Sequence, residues 1–125
     1  MNRLRPAANL ADPTTQMSEG WHCLHIYYRI NQAALQTVSE ADRLQGRADM
    51  SRILDPKADH APARVQVSVA SGHEADFGLI LMDPDPLKID AVTQSLRSSV
   101  IGPALDATYS FVSITEISEY VPSVD

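Results

Sequence analysis

Trp21-His22-Cys23-Leu24-His25-Ile26-Tyr27-Tyr28-Arg29-Ile30 is the stretch that decides the fold. It contains neither Gly nor Pro and is rich in the β-branched and aromatic residues that favour a pleated strand. Alternate side chains of a strand point to opposite faces, so Trp21, Cys23 and Tyr27 share one face and Leu24, Ile26, Tyr28 and Ile30 the other. Apolar groups on both faces require cover on both faces, which predicts a central strand. Residues 76–82 have the same character: Phe77, Leu79 and Leu81 oppose Ile80 and Met82. The sheet therefore has two interior strands, and helices on one side cannot be its only cover.

Outward from residue 30, Asn31 is placed to cap a helix by accepting from a free amide of the first turn. Leu35, Val38, Ala41 and Leu44 recur at helical spacing, which predicts an amphipathic helix over about 32–45. Gly46 is expected to loosen it, with Met50, Ile53 and Leu54 resuming a turn or two before Asp55-Pro56. Residues 57–63 read as a loop. Val65, Val67 and Val69 alternate with Arg64, Gln66 and Ser68 as a half-buried strand, joined through a turn at 71–74 to the strand at 76–82. In Asp83-Pro84-Asp85-Pro86 the second pair fits an N-cap followed by Pro at the first helical position. Ile89, Val92, Leu96 and Val100 then carry a second helix over about 86–99, which Gly102-Pro103 stops. A last strand is expected over 109–120, with Tyr109 and Phe111 on one face and Val112 and Ile114 on the other before its polar end at Glu116, Glu119 and Tyr120.

The order βαββαβ predicts a ferredoxin-like α+β sandwich: four antiparallel strands with two helices on one face and the first and third strands central. The other face is too apolar for solvent. A second sheet should cover it, supplied by another copy of the chain or by a further half.

A length of 125 residues suits one domain, expected over 20–122, after a flexible lead-in at 1–19 that holds Pro6 and Pro13 and before a short tail at 123–125. The net charge of -6, without any dense Lys/Arg run, argues against nucleic acid as a partner. Cys23 is the one cysteine, so no intrachain disulfide forms, which fits a reducing compartment and a buried thiol. The sequence shows neither the apolar core of a signal peptide nor a stretch long enough to span a membrane, and a cytoplasmic location is expected.

Motifs for chemistry are sparse. His22 and His25 fall on opposite faces of the first strand and cannot hold one metal together; His60 and His73 lie in loops without a ligand spacing. Asp83 and Asp85 lack the glycine and distal glutamate of a calcium loop and are read as turn and cap residues. Cys23 lies in a strand rather than at a helix N-terminus, and no serine sits in a Gly-x-Ser-x-Gly elbow. Glu116, Glu119 and Tyr120 read either as the solvated exit of an edge strand or as the rim of a pocket.

The local wording at Gly20-Trp21-His22-Cys23-Leu24-His25-Ile26-Tyr27-Tyr28-Arg29-Ile30, at Ala75-Asp76-Phe77-Gly78-Leu79-Ile80-Leu81-Met82 with Asp85-Pro86-Leu87, and above all at Tyr109-Ser110-Phe111-Val112-Ser113 through Glu116-Ile117-Ser118-Glu119-Tyr120, resembles the chlorite dismutase family, especially its coproheme decarboxylase (HemQ) branch. The resemblance covers about residues 20–122 and implies the first half only of a chain of two ferredoxin-like halves, whose sheets meet in an α+β barrel and which assemble into homo-oligomers. By that resemblance the complete protein binds haem or coproheme and removes two coproheme propionates in a peroxide-dependent reaction. The haem-ligating histidine and the reactive tyrosine lie beyond this half, so no catalytic or metal-binding residue is carried over. Tyr120 and its neighbour Glu119 match positions near a porphyrin propionate. A stand-alone homodimeric α+β barrel that binds or assembles without haem catalysis is the alternative.

Overall fold

The computed structural model describes residues 20–70, 72 and 74–115. Its elements are β1 (His22–Ile30), α1 (Gln32–Gln36), α2 (Glu40–Ile53), β2 (Arg64–Val69), β3 (Phe77–Asp83), α3 (Pro86–Ser98), a 3-10 turn at Gly102–Ala104, and β4 (Leu105–Ile114). The sheet order is β2-β3-β1-β4, fully antiparallel, with both strands that are apolar on two faces in the middle. This is the ferredoxin-like α+β sandwich expected from the sequence. The lead-in at 1–19, the tail at 123–125, His73, Glu116, Glu119 and Tyr120 lie outside the described residues.

The helix-facing side of the sheet holds the core. Leu79 and Leu81 of β3 have essentially no exposed surface, and with Tyr28 of β1 they meet Ile53 of α2 and Ile89, Val92 and Leu96 of α3. Asp83 is the one buried charged residue among those described; its carboxylate accepts from the backbone N–H of Ala63 at 2.8 Å and of Asp85 at 2.8 Å, tying the loop before β2 to the start of α3. Asp85 in turn accepts from Leu87 N–H at 2.9 Å, with Pro86 in the first turn, so the Asp-Pro-Asp-Pro segment is turn and cap chemistry.

Three elements depart from the sequence reading. The helix expected over 32–45 is two: α1 is capped by Asn31, whose Oδ1 accepts from Ala34 N–H at 3.0 Å, and ends at Thr37, while Ser39 opens α2 by accepting from Asp42 N–H at 3.1 Å. α2 then runs unbroken through Gly46 and faces the core through Gly46 and Ile53, beside the partly buried Met50, leaving Leu44 in solvent. The glycine does not loosen the helix because the bare backbone there receives the side chain of Ile101. Finally, β4 begins at Leu105, because the β1–β4 register steps from Tyr27↔Tyr109 to Tyr28↔Ala107. Thr108 is the extra residue of that bulge, and it returns Leu105 and Ala107 to the helix side of the sheet.

Candidate functional site

Among the described residues no other element packs on the face of the sheet away from the helices. Cross-strand partners point to the same face, so the registers place Cys23, His25 and Tyr27 of β1 beside Met82, Ile80 and Gly78 of β3 and beside Ser113, Phe111 and Tyr109 of β4. The His25 and Phe111 rings stack with centroids 4.4 Å apart, Phe111 meets Tyr109 at 5.7 Å, and Tyr109 meets Tyr27 at 6.2 Å. Gly78 matters to this row: a Cβ there would fall 2.7 Å from the Tyr27 ring, so the missing side chain is what lets the ring lie flat on β3. Tyr109 is 61% exposed and Phe111 41%. An aromatic row this open is what an interface or a ligand wall looks like before it is closed.

The edges of this face are tied by polar groups. Trp21 N–H donates to Thr115 Oγ1 at 2.7 Å and Thr115 N–H returns to Trp21 O at 2.8 Å, extending the β1–β4 ladder past His22. At the other end of β1, Ile30 N–H donates to Asp76 Oδ2 at 2.7 Å, while Asp76 N–H donates to Tyr28 O at 2.7 Å.

The two histidines of β1 part as their spacing requires. His25 lies on the open face with its Nδ1 3.8 Å from the buried thiol of Cys23. His22 lies on the helix face opposite Asp83 and lines a cavity of about 250 Å³ with Ile89 and Val112; its Nε2 is buried without a hydrogen-bond partner. His60 is held in its loop, its Nε2 3.4 Å from Ile53 O. Among the described residues no three His, Cys, Asp or Glu side chains converge as a metal site would require. His25 is stacked flat on a neighbouring ring, and the cavity beside His22 falls below the roughly 300–1,000 Å³ usual for enclosed small-molecule sites.

The parity of residues 21–30 put Cys23 with Tyr27 and His25 opposite His22, but the meeting of His25 with Phe111 was not legible. β1 and β4 are joined only through the register of two crossovers, and no turn motif between them fixes which residues pair. Tyr120 and Glu119, the expected contacts to a propionate, lie outside the described residues.

The sequence profile of the chlorite dismutase family matches residues 43–124. Among solved structures, a haem-binding protein from Thermus thermophilus superposes with a TM-score of 0.69 at 21% identity, over 88% of this chain and 46% of its own. Chlorite dismutase from Candidatus Nitrospira defluvii superposes at 0.62 with 8% identity, over 84% of this chain and 44% of its own. The imidazole complex of that enzyme gives 0.64, 7%, 83% and 43%. At these identities the superpositions establish a shared fold. The chain spans less than half the length of each of these structures.

Proposed function

Because this chain belongs to the chlorite dismutase family, we propose that it acts as a HemQ-like half-barrel, whose open sheet face is closed by a second ferredoxin-like sheet in an assembly that holds haem or coproheme. The observation that carries the proposal is the aromatic row of His25, Tyr27, Tyr109 and Phe111, which lies on the sheet face opposite the helix-side core and leaves Tyr109 and Phe111 exposed. Closing it against another apolar sheet removes those rings from water and builds a wall between the halves. The haem-binding relative of twice this length supports the cofactor class.

In this reading the tetrapyrrole supplies the redox chemistry when bound, which in the HemQ branch is peroxide-dependent removal of two propionate carboxyls. The chain's own part is to exclude water and to fix the edge of the site. If a propionate lies there, Tyr120 would hold it through its hydroxyl, and Glu119 would need a cationic partner, since a bare carboxylate next to a propionate is repulsive. Homo-oligomerisation, or a separate second half, completes the site.

Titration of the purified chain with haem and with coproheme, followed in the Soret region, tests this. The expected result is no histidine-ligated spectrum and no peroxide-dependent product from this chain by itself. A five-coordinate histidine signature with decarboxylated product would overturn it. A stable homodimer that remains indifferent to both porphyrins would favour the alternative, a homodimeric α+β barrel, to which the same open face is equally suited.

A further inference from the structure

β4 stands at one edge of the sheet, paired to β1 on one side and to no described strand on the other. A bare edge carries a row of backbone donors and acceptors with which another chain can pair, and native proteins blunt it with charge, proline or brevity. Beyond the bulge at Thr108, β4 uses none of these. Tyr109-Ser110-Phe111-Val112-Ser113-Ile114-Thr115 holds neither a charged residue nor a proline, in a chain of net charge -6. The opposite edge, β2, is shorter and opens with Arg64. Both flanks of the β4 stretch are apolar and open: Tyr109 and Phe111 on the face away from the helices, Val112 and Ile114 on the helix side at 68% and 54% exposure.

The ladder to β1 fixes which backbone groups are turned outward. Thr115 N–H donates to Trp21 O at 2.8 Å, so the amide of Thr115 points at β1. In an antiparallel pair that direction alternates, and the continuous register from His22↔Ile114 to Tyr27↔Tyr109 carries the parity along the strand. The main chain of Tyr109, Phe111 and Ser113 therefore bonds to β1, while the N–H and C=O of Ser110, Val112 and Ile114 point away from the sheet. A second β4 laid antiparallel about a two-fold axis at Val112 pairs all three. Val112 then meets its own counterpart, Ser110 lies opposite Ile114, and the rings of Phe111 and Tyr109 lie opposite the small side chains of Ser113 and Thr115. An axis at Phe111 would instead set Ile114 against the bulge at Thr108. Two chains of the same negative sign repel, so self-contact is favoured where charge is absent, as it is here.

We propose that β4 is a self-association edge: two copies of this chain join antiparallel through residues 109–115 about Val112, merging two four-stranded sheets into one. The contact is isologous and closes at two copies. It leaves the open sheet face free, so the proposal rests neither on haem binding nor on closure of that face.

The test is amide hydrogen exchange of the whole chain by NMR, at a concentration where sedimentation shows the dimer and again after dilution to the monomer. The amides of Ser110, Val112 and Ile114 should exchange at least about tenfold more slowly in the dimer, while those of Phe111 and Ser113, already bonded to β1, change little. Val112→Lys, which sets two like charges against each other on the axis, should raise the dimer dissociation constant at least about tenfold. Val112→Thr keeps the β-branched shape and should leave it unchanged. Val112 is exposed, so neither variant threatens the fold. A chain that stays monomeric at high concentration, a dimer indifferent to Val112→Lys, or a dimer without the alternating protection, as contact through the sheet faces would give, would overturn the assignment. Protection of the three amides already in the dilute monomer would overturn it too, because the rest of the chain would then cover the edge.

Discussion

At the scale of single residues, the placement of α2 turns on an atom that is missing. Gly46 is buried in mid-helix, and a Cβ there would fall within the side chain of Ile101. Alanine in its place gains about 1 kcal/mol of helix propensity but forces an overpacked contact that typically costs about 1–3 kcal/mol. Gly46→Ala should therefore lower stability by about 1 kcal/mol in urea unfolding, whereas in an Ile101→Ala background the same change should raise it. A loss of equal size in both backgrounds would refute the contact. The sequence reading saw the helical cost of Gly46 but not Ile101, which arrives from beyond α3 and leaves no local trace. The same blindness put Leu44 on the core face, although it is 59% exposed. Strand residues fared better, since a period of two fixes the face of His22 relative to His25 without knowledge of any neighbour.

At the scale of elements, what was legible depended on how rigidly a local signal constrains the backbone. Asp85-Pro86 announces the start of α3 because Pro fixes its own φ and a free first-turn amide needs an acceptor. The break between α1 and α2 sits inside a run whose apolar spacing continues across it, so periodicity alone bridged Thr37 to Ser39. The hydrogen bond from Asp42 N–H to Ser39 Oγ marks the new start. Ser39→Ala should cost about 1 kcal/mol of unfolding free energy. Ser39→Asp should retain stability, since its carboxylate can accept from the same amide and suits the positive end of the helix. Urea melts of the two variants separate capping from a general intolerance of substitution at this position. The bulge at Thr108 likewise escaped sequence reading, because nothing in the composition of residues 104–109 distinguishes an extra residue from a loop.

For the molecule as a whole, the apolar character of both faces of residues 21–30 and 76–82 carried the sheet order and the need for a second cover. What provides that cover was not legible, because complementarity belongs to two surfaces and the chain displays one. The open row nevertheless makes a quantitative demand. Phe111 lies in its middle, stacked on His25 and meeting Tyr109, yet it remains 41% exposed. Aspartate at this position leaves the helix-side core untouched and keeps its charge in water while the domain is alone. A dry sheet-to-sheet interface would instead bury that charge without a partner, a penalty of several kcal/mol. Phe111→Asp should thus cost the isolated domain about 1–3 kcal/mol of unfolding free energy, from two lost ring contacts and a poorer strand residue, while weakening its association through this face by at least about a hundredfold. Sedimentation equilibrium over a range of concentrations measures the second effect and urea unfolding of the dilute protein the first. Association that survives the aspartate would mean that partners dock elsewhere and that the aromatic row faces a wet cavity, where the charge retains water and the wall is built for a ligand.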